Sequence, residues 1–147
     1  MASMRSQRLF TSLLIAASAL AVAPVAEAMA ARVELLNGQI RSGDSSHRAS
    51  GRAAVVQIDG SKRVLTLKSF RIRPGGKVLL YLVPRSVRSN GAIGRRSNHR
   101  VLGTVKGSRG NAQFTIPRSV DLRRFNSVVF WCVPFTLSLG RADLNRS

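Results

Sequence analysis

The side chain with the most distinctive chemistry in this sequence is its single cysteine. Cys132 directly follows the only tryptophan, Trp131, in the segment Ser127-Val-Val-Phe-Trp-Cys-Val133. Because one cysteine forms no disulfide within its own chain, Cys132 is an inert buried side chain, a free thiol, a metal or haem ligand, or half of an intermolecular bridge. Its neighbours are apolar on either strand parity, which favours burial and an unreactive thiol.

A redox or ligand role for Cys132 would need a partner that the fold brings to it. The histidine to test is His47, in the polar segment Gly43-Asp-Ser-Ser-His47-Arg-Ala-Ser-Gly51, although a single histidine in such a loop is more often a surface residue. His47 and His99 do not have a zinc-binding spacing, and the C-x-x-C-H motif of covalent haem attachment is absent. Thiolate suits a soft metal or a haem iron, so a cofactor bound through Cys132 and no cofactor at all both stay open.

Other catalytic chemistry lacks the residues to carry it. The sequence has no G-x-S-x-G nucleophile motif, no G-x-x-x-x-G-K-[ST] phosphate loop and no G-x-G-x-x-G dinucleotide motif. Its acidic residues are far apart and form no local acid/base pair of the glycosidase kind. The sequence therefore leaves enzyme activity undecided and favours a redox or binding module over a turnover enzyme.

The N-terminus has the pattern of a cleavable signal peptide. Arg5 and Arg8 precede an apolar stretch over residues 9–25, and small residues suited to a signal peptidase follow in Ala26-Glu27-Ala28 and Ala28-Met29-Ala30. We expect cleavage near residues 28–30 and a secreted or periplasmic protein. Residues 31–147 then form a single domain, in which no segment is long and apolar enough to span a membrane.

The chain is strongly basic, with a formal net charge of +18. Such a charge attracts polyanions, for example an anionic membrane surface or an envelope or matrix polymer, but it could also be only a compositional bias toward arginine. Residues 84–100 form the longest connection between predicted strands and are the candidate anion-contacting surface. That surface consists of five arginines, Arg85, Arg88, Arg95, Arg96 and Arg100. No aromatic residues interleave with them to stack bases, which argues against nucleic acid.

The elements that must position these residues are short strands. Alternating or continuous apolar runs separated by turn residues predict strands over residues 53–58, 63–70, 77–83, 101–106, 112–116, 127–133 and 135–140. Asp59-Gly60 predicts a tight hairpin, because both residues tolerate positive φ. Seven or eight short strands without a helical period predict an all-β fold, a single antiparallel β-sandwich or small barrel.

The order of several short motifs carries a family resemblance. These motifs are Gly38-Gln-Ile40, His47-Arg-Ala-Ser-Gly51, Asp59-Gly60, Leu65-Thr-Leu67, Leu80-Tyr-Leu82, Leu102-Gly103, Ile116-Pro117, Asp121-Leu122 and Trp131-Cys132. Together they resemble the DM-thirteen (DM13) domain family, which is named for electron transfer and occurs beside DOMON and b-type cytochrome domains. The resemblance implies a mostly β domain and a redox role for the family's cysteine, here Cys132, as a bare thiol or through a prosthetic group. The family's histidine corresponds to His47.

Two hypotheses follow. The first is an extracytoplasmic redox or electron-transfer module that acts through Cys132, with His47 and Trp131 as the residues to test beside it. Because no DOMON or cytochrome domain is recognised in this chain, we expect its electron donor or acceptor to be a separate redox partner protein. The second is a non-enzymatic module that binds anionic envelope or matrix polymers through its basic surface.

Overall fold

Strands dominate the structure, as the alternating apolar pattern predicts. The computed structural model describes residues 31–73 and 75–147, so the predicted signal peptide, residues 1–30, lies outside the described residues. Eight strands have six residues or more, in agreement with the predicted seven to eight, and β2 and β10 have two residues each. The strands are β1 (Arg32–Gln39), β2 (Arg41–Ser42), β3 (Ser50–Ile58), β4 (Lys62–Arg71), β5 (Val78–Val83), β6 (Arg100–Val105), β7 (Arg109–Ile116), β8 (Ser127–Cys132), β9 (Leu137–Asp143) and β10 (Asn145–Arg146).

The strands form two five-stranded sheets that pack face to face. The first sheet has the order β10-β1-β3-β4-β7 and the second β2-β9-β8-β5-β6. All their pairings are antiparallel. The predicted antiparallel β-sandwich is therefore confirmed. The predicted Asp59-Gly60 hairpin joins β3 to β4, and both residues have positive φ, 51° and 74°.

Two buried residues mark two of the places where the chain changes sheet. Ile40, between β1 and β2, carries the chain from the first sheet to the second, and Leu144, between β9 and β10, carries it back. The crossing strands approach so closely that a Cβ on Gly38 would lie 2.2 Å from the carbonyl oxygen of Asp143. Glycine is therefore required there, and this side of the sandwich is closed by backbone contact.

The core between the sheets consists of the inward-facing residues of both. Phe130 of β8 is fully buried and stacks on Phe70 of β4, with ring centroids 5.9 Å apart. Cys132 belongs to the same core as Val128 and Phe130. The predicted shared parity of these three residues is confirmed.

A second apolar cluster lies on the outer face of the second sheet. It contains Tyr81, Val83, Ile93, Val129 and Trp131. Ile93 comes from a short helix, α1 (Asn90–Ile93), whose N-cap Ser89 accepts a hydrogen bond from the Ala92 amide. Residues 84–100 are thus a cover packed on the sheet, and β5 is buried on both faces as its continuous apolar run predicts.

One predicted strand begins later than expected. Residues 135–140 predict a strand with Phe135 facing in, but residues 133–136 form the turn between β8 and β9, and β9 begins at Leu137. Thr136 has φ 49°, a turn conformation that interrupts the extended chain. Phe135 is consequently 70% exposed.

Candidate functional site

Cys132 is the last residue of β8, a strand inside the second sheet. It pairs with Val78 of β5 on one side and Leu137 of β9 on the other. The side chain points into the core between the sheets and is 1% exposed. Its Sγ donates a hydrogen bond to the carbonyl oxygen of Gly75 at 3.7 Å. The thiol is therefore buried and lies at the end of the strand, under the loop before β5.

Two loops separate Cys132 from solvent. Ile72, Arg73 and residues 75–77 lead into β5, and Gly75 and Gly76 are exposed. The turn 133–136 follows β8, and the Val133 amide donates to the carbonyl oxygen of Lys77 at 2.9 Å. A Cβ on Gly76 would lie 2.8 Å from Cγ of Pro134, so the two loops are in close contact. We therefore expect access to Sγ to depend on movement of these loops, which does not require the sheets to separate.

His47 lies at the same end of the sandwich but is engaged locally. Its Nδ1 is 2.8 Å from each carboxylate oxygen of Asp44 and 3.0 Å from Oγ of Ser46. Hydrogen bonds to Asp44 lower the pKa of its carboxyl group to about 2. The largest contribution comes from the Ser46 hydroxyl and the next from His47. Arg73 donates to the carbonyl oxygen of Ser46 at 3.0 Å, which ties this loop to residues 72–77. In the part of the chain described, no hydrogen bond joins His47 to Cys132.

Trp131 faces away from Cys132, because successive residues of a strand point to opposite faces. It stacks on Tyr81 with ring centroids 5.7 Å apart, and Tyr81 stacks on His99 at 4.1 Å with planes only 4° apart. His99 is held by a 2.7 Å contact between Nδ1 and the carbonyl oxygen of Ile93. Burial raises the pKa of Tyr81. The result is an aromatic column of three rings on the outer face of β5 and β8.

Sequence reasoning missed Tyr81 and His99 as neighbours of Trp131. Tyr81 lies within the continuous apolar run of β5, which gives no sign of a neighbour. The pairing of β5 with β8 places it opposite Val129, on the same face of the sheet as Trp131. His99 follows the 3₁₀ turn Arg96–Asn98 and reaches the column only because residues 84–100 fold back over the sheet. No local pattern predicts that return.

The geometry does not fit a metal or haem bound through Cys132. A ligand sulfur needs an open side toward the metal, whereas this side chain is 1% exposed and its Sγ is hydrogen-bonded to backbone. Among residues 31–73 and 75–147, no three His, Cys, Asp or Glu side chains are grouped so that they could hold a metal ion. The arrangement instead supports the bare-thiol alternative of the family resemblance.

The five arginines of residues 84–100 have different environments. Three of them have contacts that hold the cover to the sandwich: Arg85 donates to the Leu144 carbonyl and the Asn145 side chain, Arg88 to Asp143, and Arg100 lies 4.3 Å from the ring centroid of Phe125. Arg95 and Arg96 are exposed. The arginine cluster predicted as an anion-contacting surface is thus partly used to fasten the segment.

Arg141 and Asp143 of β9 complete this fastening. Arg141 donates to the carbonyl oxygens of Pro84, Arg85 and Val87 and, through Nε, to Asp143 at 2.9 Å. Asp143 also accepts a 2.7 Å hydrogen bond from the Ser127 hydroxyl. Burial, the largest single influence, raises the pKa of Asp143, but the hydrogen bonds from Ser127, Arg141 and Arg88 together outweigh it and lower that pKa to about 2.

The fold and this site define a class of protein: a β-sandwich domain with one thiol buried beneath two loops at the end of an inner strand. Residues 41–144 match the family described as Electron transfer DM13, and the chain belongs to that family. No curated protein and no solved structure matches the chain. None of the helices in the described ranges has the length and hydropathy to cross a bilayer.

Proposed function

We propose that this protein is an electron-transfer module in which the thiol of Cys132 is itself the redox group. The observation that carries the proposal is the position of Cys132, which is 1% exposed while its Sγ donates a hydrogen bond to the loop before β5, at the Gly75 carbonyl oxygen. Membership of a family described by electron transfer supports it. A covered sulfur favours electron exchange without bond formation over direct attack by a reagent or a second thiol.

The redox step is a one-electron step. Cys132 gives one electron to an acceptor, the metal centre of a separate partner protein, and the thiol proton passes to water past the Gly75 carbonyl. A sulfur radical remains. Return of one electron from the partner and one proton from water restores the thiol. No second cysteine is available in the chain to capture the radical as an internal disulfide, and burial shields it from a second molecule.

The surrounding residues have distinct parts in this proposal. The Asp44–His47 pair shapes the loop that Arg73 ties to residues 72–77, so His47 positions the cover of Cys132 and does not contact the sulfur. Trp131 is the adjacent residue, and indole, phenol and thiol are the side chains that lose one electron most readily. We therefore expect an oxidising equivalent on Cys132 to be shared with Trp131 and Tyr81.

The test is photochemical oxidation of the purified full chain by a ruthenium(III) polypyridyl complex, with radicals trapped by freezing and identified by electron paramagnetic resonance. The wild type is expected to lose one electron per molecule and to give a sulfur signal, which C132S and C132A lose and W131F keeps. Visible spectra and metal analysis of the same sample test whether Cys132 is free of haem and metal. The proposal is overturned if C132S and C132A, both folded, oxidise with the same yield and the same radical spectrum as the wild type.

The location of this activity forms part of the proposal. The signal-peptide pattern of residues 1–30 supports function outside the cytoplasm. Sequencing the N-terminus of the protein recovered from the native host tests it. A mature chain that begins near residue 31 is expected, and an intact Met1 on protein recovered from the cytoplasm contradicts it.

A second candidate function is binding of an anionic envelope or matrix polymer. The net charge of +18 and the exposure of Arg95 and Arg96 favour it. Retention on a sulfated polysaccharide column should then fall steeply with salt, because the polymer's counterions are released on binding. R95S/R96S should elute at lower salt than R118S/R123S, which removes two exposed arginines elsewhere. Equal elution of the two variants argues against a site on residues 84–100.

A further inference from the structure

The end of the sandwich that contains Cys132 carries an exposed apolar tip. Phe135 is 70% exposed and Val133 38% exposed, and both lie in the turn 133–136 directly after Cys132. The tip rests on residues 72–77 through the Val133–Lys77 backbone hydrogen bond and the contact between Pro134 and Gly76. The exposed apolar side chains are thus attached to the loops that cover the thiol.

Basic residues surround this tip. The strand register places the loops 43–49, 72–77 and 106–108 at the same end, since Val78 pairs with both Cys132 and Val105, and Arg71 pairs with both Ser50 and Arg109. Six exposed cations lie in or beside these loops: Arg48, Arg71, Arg73, Lys77, Lys106 and Arg109.

Acidic residues are almost absent from this end. Of the five acidic residues in the described chain, Asp44 alone lies there. Asp59 lies in the opposite hairpin, Asp121 precedes β8, Asp143 pairs with the first residue of β8, and Glu34 lies in the first half of β1. The Cys132 end therefore has a formal charge of +5 from its six cations and Asp44, and this charge surrounds an apolar centre.

The geometry points to this end, residues 72, 73, 75–77 and 133–136 with their basic surroundings, as the docking face for an acidic redox partner protein. This inference rests on the proposed function and names its partner: a protein whose redox centre opens into an apolar patch bordered by carboxylates. Complementary charge speeds encounter and orients the partner. The apolar tip favours a protein over a polysaccharide, because buried aromatic side chains dominate the binding energy of protein interfaces.

Docking here would bring the partner's centre to the loops above Sγ. The arginines of residues 84–100 do not offer the same approach, because Arg85, Arg88 and Arg100 have contacts within the protein and the segment covers Trp131 and not Cys132. The inferred face is therefore a different surface from the arginine-rich segment that the sequence singled out.

The first test compares oxidation of Cys132 by two strong small oxidants of opposite charge, hexachloroiridate(IV) and photogenerated tris(bipyridine)ruthenium(III). K77E/K106E reverses two charges at the inferred face, and R118E/R123E makes the same change in net charge near the other end. We expect K77E/K106E to slow oxidation by anionic hexachloroiridate(IV) about tenfold at low salt and to speed oxidation by the cationic ruthenium complex, with a much smaller effect of R118E/R123E. Equal effects of the two variants overturn the inference.

The second test needs no redox chemistry, so it separates failure of this inference from failure of the proposed function. A glutamate-rich peptide with a central tryptophan is titrated into the labelled protein and followed by NMR. Shifts are expected at residues 72–77 and 133–136, with affinity reduced about tenfold, or about 1.4 kcal/mol, by F135S or by replacing the peptide tryptophan with glycine. Shifts centred on residues 85–100 overturn the inference. It is also overturned if a sulfated polysaccharide binds residues 133–136 and the neighbouring loop as tightly in F135S as in the wild type.

Discussion

Substitution of Gly76 by alanine should make the native Cys132 thiol more accessible. Gly76 has φ +69°, and a Cβ there would lie 2.8 Å from Cγ of Pro134. A residue with a side chain costs about 1–2 kcal/mol in this conformation. This free-energy cost applies to the closed conformation of the loop, in which Gly76 has positive φ, and not to an open conformation in which φ is free to change. Opening should therefore become about 5- to 30-fold more frequent.

The assay is alkylation of the native protein by neutral iodoacetamide, followed by mass spectrometry. Wild-type Cys132 should react far more slowly in the folded than in the unfolded protein, since its side chain is 1% exposed. If residues 72–77 open independently of the sheets, G76A should raise the native rate about 5- to 30-fold, in proportion to the opening equilibrium.

The matched control is G60A. Gly60 also has positive φ, 74°, but a Cβ there contacts nothing within 4 Å and the residue lies in the β3–β4 hairpin, away from Cys132. G60A should destabilise the fold to a similar degree and leave the native alkylation rate nearly unchanged. If G60A and G76A accelerate the reaction equally, the thiol is reached by global unfolding, and the loops do not control access to it.

Three further outcomes follow from the packing. Asp143 has a pKa lowered from 3.8 to about 2, so its ionised form stabilises the fold above pH 3.8 and that stability is lost as the pH falls toward 2. Because a third of the Asp143 side chain is exposed and solvent weakens its interactions, D143N should lower the free energy of unfolding in urea at pH 7 by about 1–2 kcal/mol. A difference of the same size at pH 2 would refute the electrostatic origin. F130A should cost about 3–5 kcal/mol, measured by the same method, whereas V101A, at a site 51% exposed, should change stability by less than about 0.5 kcal/mol. R141A should loosen residues 84–100 and shift Trp131 fluorescence to longer wavelength, and unchanged emission would show that the cover does not depend on Arg141.

Period-two patterns were sufficient to predict most of the sandwich. The alternation of Ala112, Phe114 and Ile116 and the Asp59-Gly60 turn are local signals, and both predictions are confirmed. The first strand was missed because two leucines in a row, Leu35 and Leu36, interrupt the alternation. In the structure the register of β1 shifts at this point, between Glu34 and Leu36.

The site was only partly predictable for a different reason. Parity alone placed Trp131 and Cys132 on opposite faces, which the structure confirms. The approach of His47 to the loops over Cys132 depends on Arg73 and Ser46, residues far apart in sequence. The cover over Trp131 depends on Ile93 and Val87, isolated apolar residues among arginines, glycines and serines. Long-range contacts of this kind leave no periodic signal.

The closed side of the sandwich also limits how copies of the protein can associate. On the side where Ile40 and Leu144 carry the chain between the sheets, the outermost strands are β2 and β10, which are too short to template another strand. Backbone edges long enough for strand addition are left at β6 and β7 among the described strands. Arg100, Lys106 and Arg109 lie along or between these strands, and the β5–β6 register shifts at Leu80 and Tyr81. Like charge and an irregular edge both oppose edge-to-edge aggregation, so addition of a strand from a second copy is disfavoured at β6 and β7.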